Sequence, residues 1–383
     1  MQAVENVVIL GSTGTIGRLS VQVIDSLRDR LKIIGLAANQ NIELLRSQIA
    51  ELSPRQAVVL NEEKCIQLSG SADTEIACGS EPLVNLASNP EVDILVVAMT
   101  GTAALDATLA ALRAGKRVAL ATKEILVSFG KFIQQALQEG NGELLPIDSE
   151  HNALHQCLDT RDPETVKRLI LTASGGPFRD RDYKGATPKE ALAHPTWEMG
   201  ERITVDSATL MNKGFEVIEA HFLFGVEPER IEVLVHPQSI VHSLVEFTDG
   251  SVLAQLSVPD MRLPIEYALL YPERGPGIVS QLDLAEVGSL EFEKPDLGRF
   301  PCLGFAYEVL KKGGTAPAVL QAADEETVEQ FLKDKIRFED IPESIRKAMK
   351  SHRYIKEPSI SQIREAERLA KQFVEKEIDA NRF

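Results

Sequence analysis

Val7-Val-Ile-Leu10-Gly11-Ser-Thr-Gly14-Thr-Ile-Gly17 decides how this chain folds. The four apolar residues read as a buried strand, glycines follow at every third position, and Leu19, Val23, Ile24 and Leu27 then recur at helical spacing. A strand that turns through small residues into a helix leaves backbone N–H groups unpaired at the positive end of the helix dipole, which suits a pyrophosphate. Gly14 to Gly17 are expected beneath the phosphates. The competing reading is a tight strand-to-helix turn that binds nothing. The second strand runs out through Leu36-Ala-Ala-Asn39-Gln40-Asn41 and carries no acidic residue to accept from both adenosine ribose hydroxyls, so NADP is favoured over NAD.

Outward from this loop, short apolar runs alternate with helical stretches: 7–10, 32–37, 57–60, 94–98, 117–121 and 143–147. That rhythm predicts an α/β, Rossmann-like, doubly wound parallel sheet. After Ile147 come polar loops and a likeness to an antiparallel hairpin, 240–247 and 251–257, turned through Asp249-Gly250, which predicts an α+β domain with a mixed or antiparallel sheet. Residues 275–298 show no periodicity, and helical spacing returns at 303–311, 325–333 and 361–377. The expected domains are 1–148 for the cofactor, 149–276 for metal and substrate with a lid loop at 190–202, a linker at 277–298, and a helical domain at 299–383. The 383 residues, 44% hydrophobic and 26% charged, are ample for such cores. A net charge of -16 argues against non-specific binding to nucleic acid or an anionic membrane, so an anionic substrate must be met by local positive groups. Cys65, Cys78, Cys157 and Cys302 form no C-x-x-C pair, and buried free thiols in a reducing cytoplasm are expected. No signal-peptide pattern and no run of about 18 apolar residues is present, so neither export nor membrane spanning is expected.

Two segments carry the chemistry. In Thr204-Val-Asp-Ser207-Ala-Thr-Leu-Met-Asn212-Lys213-Gly-Phe-Glu216, a helix over 212–221 puts Asn212, Lys213 and Glu216 on neighbouring faces. Ser207, Asn212 and Lys213 are donors for phosphate oxygens, and Glu216 is a hard ligand for Mg2+ or Mn2+. A capped surface helix with an i,i+3 ion pair is the plainer reading. In Pro146-Ile-Asp148-Ser149-Glu150-His-Asn152, Asp148 and Glu150 fall at a strand's carboxyl end and project together if the strand continues. With Glu216 they make an all-oxygen set that fits Mg2+ or Mn2+ better than zinc, although both are also ordinary residues for the start of a helix. Lys123 lies just beyond another strand, placed to neutralise carboxylates or hold a hydroxyl, or simply solvated. Ser174, in Thr172-Ala-Ser-Gly-Gly-Pro177, could meet an anion through a flexible turn. His194-Pro-Thr-Trp197-Glu-Met199-Gly200 reads as a lid, with Trp197 excluding water and His194 donating to phosphate, or as a loop whose Trp plugs a core edge.

These segments in this order resemble the 1-deoxy-D-xylulose 5-phosphate reductoisomerase family nearly end to end. The likeness rests on Gly11 to Gly17, Thr122-Lys-Glu124, Asp148 to Asn152, Ala173 to Phe178, His194 to Gly200, Asp206 to Gly214, His236-Pro-Gln-Ser239 and Pro259-Asp-Met-Arg262. The resemblance implies an NADPH enzyme of the non-mevalonate isoprenoid pathway that makes 2-C-methyl-D-erythritol 4-phosphate, working as a homodimer. It implies Asp148, Glu150 and Glu216 as metal ligands, with Ser149, Glu150 and Lys123 at the substrate's hydroxyl end. Ser174, Ser207, Asn212, Lys213 and His194 would take the phosphate, with Trp197 and Met199 in the closing loop. Thr13, Gly14, Thr15, Ile16, Asn39, Gln40, Asn41, Thr122, Glu124 and Gly200 would contact NADPH. Lys123, Glu150 and His194 are the implied catalytic set.

The chain departs from the family's usual wording at Thr122, where asparagine is common, at Glu201, where a basic or small residue is frequent, and at Asp324 in Gln321-Ala-Ala-Asp-Glu325, where asparagine is usual. A metal-dependent sugar-phosphate dehydrogenase without isomerisation would need nearly every one of these residues. A silent NADP-binding sensor would not need the carboxylates.

Overall fold

The computed structural model describes residues 4–68, 73–158 and 163–380, and the chain divides into two compact units. The first, Met1–Ile125, Lys131–Asn152 and Asp260–Ser280, holds a parallel sheet of strands β1 (Glu5–Leu10), β2 (Leu31–Ala38), β3 (Gln56–Val59), β4 (Glu75–Cys78), β5 (Ile94–Val97), β6 (Arg117–Leu120) and β7 (Glu143–Pro146). Their order, β4-β3-β2-β1-β5-β6-β7, reverses direction between β1 and β5. A sheet buried on both faces needs unbroken apolar runs rather than alternation, and Val7 to Leu10 and Ile94 to Val97 are all fully buried. The connecting helices are α1 (Thr15–Ser26), α2 (Ile42–Leu52), α3 (Glu62–Cys65), α4 (Ser80–Ser88), α5 (Leu105–Arg113), α6 (Lys123–Gly140) and α7 (Ser149–Leu158).

The second unit, Leu126–Gly130, Ala153–Pro259 and Gln281–Phe383, begins its sheet with β8 (Val166–Ala173). Helices α8 (Pro188–Ala191), α9 (Glu201–Thr209) and α10 (Met211–Phe224) follow, then β9 (Ile231–Val235) and the hairpin β10 (Val241–Phe247) and β11 (Val252–Leu256). The order β11-β10-β8-β9 is mixed, since β10 is antiparallel to β8 and β11 while β9 is parallel to β8. The chain then returns to the first unit as α11 (Arg262–Leu270), whose Ile265, Ala268 and Leu269 join that unit's core. The rest of the second unit is helical: α12 (Leu284–Val287), α13 (Cys302–Lys312), α14 (Ala316–Leu332), α15 (Ile341–Ser351) and α16 (Ile360–Asp379). Among the described residues, no helix is long and apolar enough to cross a membrane.

Several expectations need correction. The thiols of Cys65 and Cys78 are not free: they form a disulfide, their Cα atoms 5.8 Å apart. Nothing in their spacing announces it, because the pairing of β3 with β4, which sets Val59 against Cys78, creates the proximity. Cys157 and Cys302 are buried free thiols as expected. The stretch 275–298 is not featureless, since it carries α12 and a bridge from Glu293 to Val235. Helix α14 starts at Ala316, not at 325, because residues 316–324 are all buried and so present no polar face to mark the helical period.

The turn that follows β1 tolerates only glycine at position 17, where a Cβ would sit 2.1 Å from the Gly11 carbonyl oxygen. Gly17→Ala is therefore expected to destabilise the chain by ~1–3 kcal/mol through backbone overpacking, read as a lower urea midpoint.

Candidate active site

In the first unit the chemistry-bearing residues stand at the carboxyl ends of parallel strands. The loop after β1 is tied to β2 by Gly11 N and Ser12 N, which both donate to Ala37 O at 2.8 and 3.0 Å. From α2, Gln48 exchanges two buried hydrogen bonds with Ser12, accepting from its hydroxyl at 2.7 Å and donating to its carbonyl at 2.9 Å. This buttress, which sequence reasoning did not find, holds Thr13 to Ile16 on a rigid base while Gly14 and Thr15 stay exposed. Asn39, Gln40 and Asn41 are exposed beyond β2, and the Asn41 side chain accepts from Leu44 N as the cap of α2.

Lys123 opens α6 and is only 7% exposed. Its Nζ donates to Asp148 Oδ2 at 2.8 Å, which neutralises a cation that burial would otherwise penalise heavily. The other Asp148 oxygen accepts from Glu150 N at 3.2 Å and lies 3.2 Å from His151 Nδ1. Asp148 and Glu150 do not project together from a continuing strand: β7 ends at Pro146 and α7 begins at Ser149. They stand instead at a helix start, where the dipole favours negative charge. Ser149 Oγ donates to Glu150 Oε1 at 3.0 Å, and Asn152 pins the turn through the carbonyls of Pro146 and Pro264. Thr122 is buried, its hydroxyl given to Met99 O at 2.7 Å, and Glu124 lies half-buried in the first turn of α6.

The second unit gathers the donors assigned to phosphate. Gly176 has φ +67°, and a Cβ there would lie 2.8 Å from Ser207 O, so the turn that follows β8 can press against the last turn of α9. That contact seats the turn that carries Ser174 against the segment that carries Ser207. His194 Nδ1 accepts from Thr196 N at 3.1 Å and Trp197 N at 2.9 Å, which places the ring proton on Nε2, 2.8 Å from Ser174 Oγ. Ser174 Oγ accepts from this ring and from Gly176 N, so its own proton is left to point at a further acceptor. Burial pushes the His194 imidazole down to about 4, and the ring is neutral.

Helices α9 and α10 meet at Leu210, which is left-handed at φ 60° and caps both. Asn212 and Lys213 follow in the first turn of α10, where backbone N–H groups and the helix dipole already favour an anion. Asn212 Nδ2 donates to Glu216 Oε1 at 2.6 Å, and Lys213 pairs with the other oxygen, so the predicted common face is present. Lys213 and Glu216 are both buried. In the lid stretch, Trp197 stacks edge-on to His242 with centroids 6.2 Å apart, Met199 is half-buried, and Gly200 caps α9 through Thr204, whose hydroxyl donates to Gly200 O at 2.8 Å. Arg202, one residue further along than the departure noted at Glu201, lies 3.8 Å from both Asp206 and Asp324. Its i,i+4 spacing to Asp206 was the available signal.

Residues 7–130 match the family described as 1-deoxy-D-xylulose 5-phosphate reductoisomerase, 144–224 match the C-terminal domain of that enzyme, and 256–373 match a DXP reductoisomerase C-terminal domain. The 1-deoxy-D-xylulose 5-phosphate reductoisomerase of Pelotomaculum thermopropionicum is 49% identical over 374 residues, covering 96% of this chain and 97% of its own. That of Thermodesulfovibrio yellowstonii is 46% identical, covering 98% and 99%. Among solved structures, the reductoisomerase of Zymomonas mobilis in complex with NADPH aligns with TM-score 0.91 at 39% identity over 99% of each chain. A DOX-P reductoisomerase in complex with NADPH, fosmidomycin and magnesium aligns equally, at 38% identity over 99% of each chain. With identity of this order along almost the whole length, the chain belongs to the 1-deoxy-D-xylulose 5-phosphate reductoisomerase family.

Proposed function

We propose that the chain converts 1-deoxy-D-xylulose 5-phosphate to 2-C-methyl-D-erythritol 4-phosphate by skeletal rearrangement and hydride transfer, using NADPH and Mg2+ or Mn2+. The observation that carries this is the pair of lysine-compensated carboxylates, partly buried Asp148 with Lys123 and fully buried Glu216 with Lys213, in a chain whose relatives bear that name. A metal-dependent dehydrogenase without isomerisation would use the same residues, and the structure of the product separates the two.

Asp148, Glu150 and Glu216 fit a hard divalent ion: the set is all oxygen, and each carboxylate is already oriented by a hydrogen bond. When bound, the ion would polarise the ketone and the neighbouring hydroxyl of the substrate. Lys123 and Ser149 hold and orient the hydroxyl end, and Lys123 is the group placed to keep charge there balanced. Ser174, Ser207, Asn212 and Lys213 bind the phosphate, with the neutral His194 ring polarising the Ser174 hydroxyl. Binding energy from the phosphate, remote from the reacting carbons, would favour closure of 190–202 with Trp197 and Met199 excluding water. Thr13 to Ile16, Asn39 to Asn41, Thr122, Glu124 and Gly200 contact NADPH, Thr122 through its backbone because its hydroxyl is engaged. In this reading residues 1–148 chiefly serve the cofactor while also supplying Lys123 and Asp148, 149–276 carry the remaining metal and phosphate groups, and 277–298 lead into the helical part at 299–383. A homodimer in the cytoplasm completes the reading, and the exposed strand β11 is the part of the hairpin sheet open to a second copy.

The direct test is NADPH oxidation with 1-deoxy-D-xylulose 5-phosphate, with added metal and after chelation, and with the product identified. Metal-dependent formation of the branched product is expected, whereas an unbranched alcohol would sink the rearrangement. Glu150→Gln should lower kcat by at least about 100-fold while NADPH still binds. Lys213→Ala removes a charge-assisted contact and should raise KM for the sugar phosphate by about 10- to 100-fold. The His194 imidazole, already neutral, should show no NMR titration between about pH 5 and 8.

A further inference from the structure

Asp324 is fully buried on α14, where neither of its carboxyl oxygens has a hydrogen-bond partner, and Asp206, nearly as buried on α9, is close enough for its charge to act on it. Two carboxyl groups this deeply buried beside one arginine favour a proton on one of them, because like charges taken out of water repel. Arg202, one turn before Asp206, approaches to 3.8 Å of both and to 3.5 Å of Glu325. Glu325 also accepts from Lys371 at 2.6 Å and from Gln321 at 2.8 Å. Three carboxyl groups thus face two cations, and a single proton brings the cluster to neutrality. Without it, the second unit would bury an uncompensated negative charge.

The cluster lies where it can act on the phosphate donors. Asp206 directly precedes Ser207, whose carbonyl meets the Gly176 turn that carries Ser174. Arg202 sits two residues beyond Gly200 and is the last residue of the lid stretch 190–202. We propose that Arg202, Asp206 and Asp324 form a proton-dependent clamp that holds α9 against α14 and so positions Ser207 and Ser174 for phosphate. The proposal rests on the phosphate reading of those serines. The three are positioning residues, since none is assigned a contact with substrate.

The protonated partner is Asp324. Burial, and then the adjacent Asp206 charge, hold its carboxyl well above the ordinary carboxylate range, against the opposing pull of Arg202. Burial also acts to raise Glu325, but Arg202 and Lys371 outweigh it and keep that carboxylate ionised. Other titratable groups that face α14 include the Cys302 thiol on α13, which burial and these same carboxylates keep protonated, Arg346 on α15, His352 against Thr315, and on α16 Glu375 and Glu367, the latter pushed up to about 7 by burial. A raised folded-state value means that the stabilisation is complete below the unfolded value of about 3.9 and is lost as pH rises through the folded one. The clamp therefore loosens on the alkaline side.

Asp324→Asn separates the clamp from its proton, because the amide does not ionise and leaves the cluster neutral at every pH. Tm, KM for 1-deoxy-D-xylulose 5-phosphate and NADPH affinity would be measured for the wild-type chain and this variant from about pH 6 to 10. The wild-type Tm should fall relative to the variant as pH rises. The wild-type KM should climb relative to the variant by up to about tenfold per pH unit, the limit for one linked proton, with NADPH affinity unchanged between the two. Ionisation of the substrate phosphate is common to both and cancels. A Tm difference independent of pH overturns the bound proton. A pH-dependent Tm difference with coincident KM profiles overturns the positioning role. If neither chain turns the substrate over, the proposed function fails, and the Tm comparison still decides the clamp.

Discussion

The second unit turns on a single backbone constraint, the left-handed conformation of Leu210. A non-glycine residue there costs about 1–2 kcal/mol, and the side chain is 3% exposed in the unit's core, so burial offsets the strain. Because one residue ends α9 and begins α10, the two helices break direction within a single peptide. Ser207 then comes at the end of one helix while Asn212 and Lys213 open the next. A continuous helix would have spread these side chains around its circumference, and the dipole end that favours an anion would not exist at that point.

Charge compensation follows the same economy. The chain is strongly acidic, yet its two buried site lysines are each paired to a carboxylate assigned to metal binding. Neither ammonium is left unsolvated alone, and neither carboxylate waits unoriented. A ligand entering such a site exchanges partners instead of having to drag a charge out of water, which lowers the reorganisation that accompanies binding. Neutral His194 fits this pattern, because a fixed cation beside Ser174 would have needed its own counter-ion.

Most of the first unit was legible in the sequence, since strands buried on both faces need unbroken apolar runs and glycine punctuation marks their ends. β4 was not, because Glu75-Ile-Ala-Cys78 is short and half open to solvent, and its disulfide depends on a register no spacing encodes. In the second unit the hairpin and the Asn212–Glu216 face were readable from periodicity. The first half of α14 was invisible because it is buried all round. The hydrogen-bond direction at His194, the Gln48 buttress and the Arg202 cluster depend on atoms brought together from distant positions, and only Asp324 had drawn attention, as an unusual residue in its segment. Asp148 and Glu150 stand at a helix start, the plainer of the two readings their sequence allowed, rather than on a continuing strand, since the N-terminal turn of a helix uses the same acidic side chains.

The two sheets end differently. In the first, β4 is an edge strand of four residues that begins with a charge and is cross-linked to α3, all features that discourage strand addition from another molecule. In the second, β11 is an edge strand whose Val252, Leu253 and Ala254 are exposed without a charge or proline among them. Its free row of amides and carbonyls is a template for a further strand, so the colloidal behaviour of this protein at high concentration is governed by whatever covers β11.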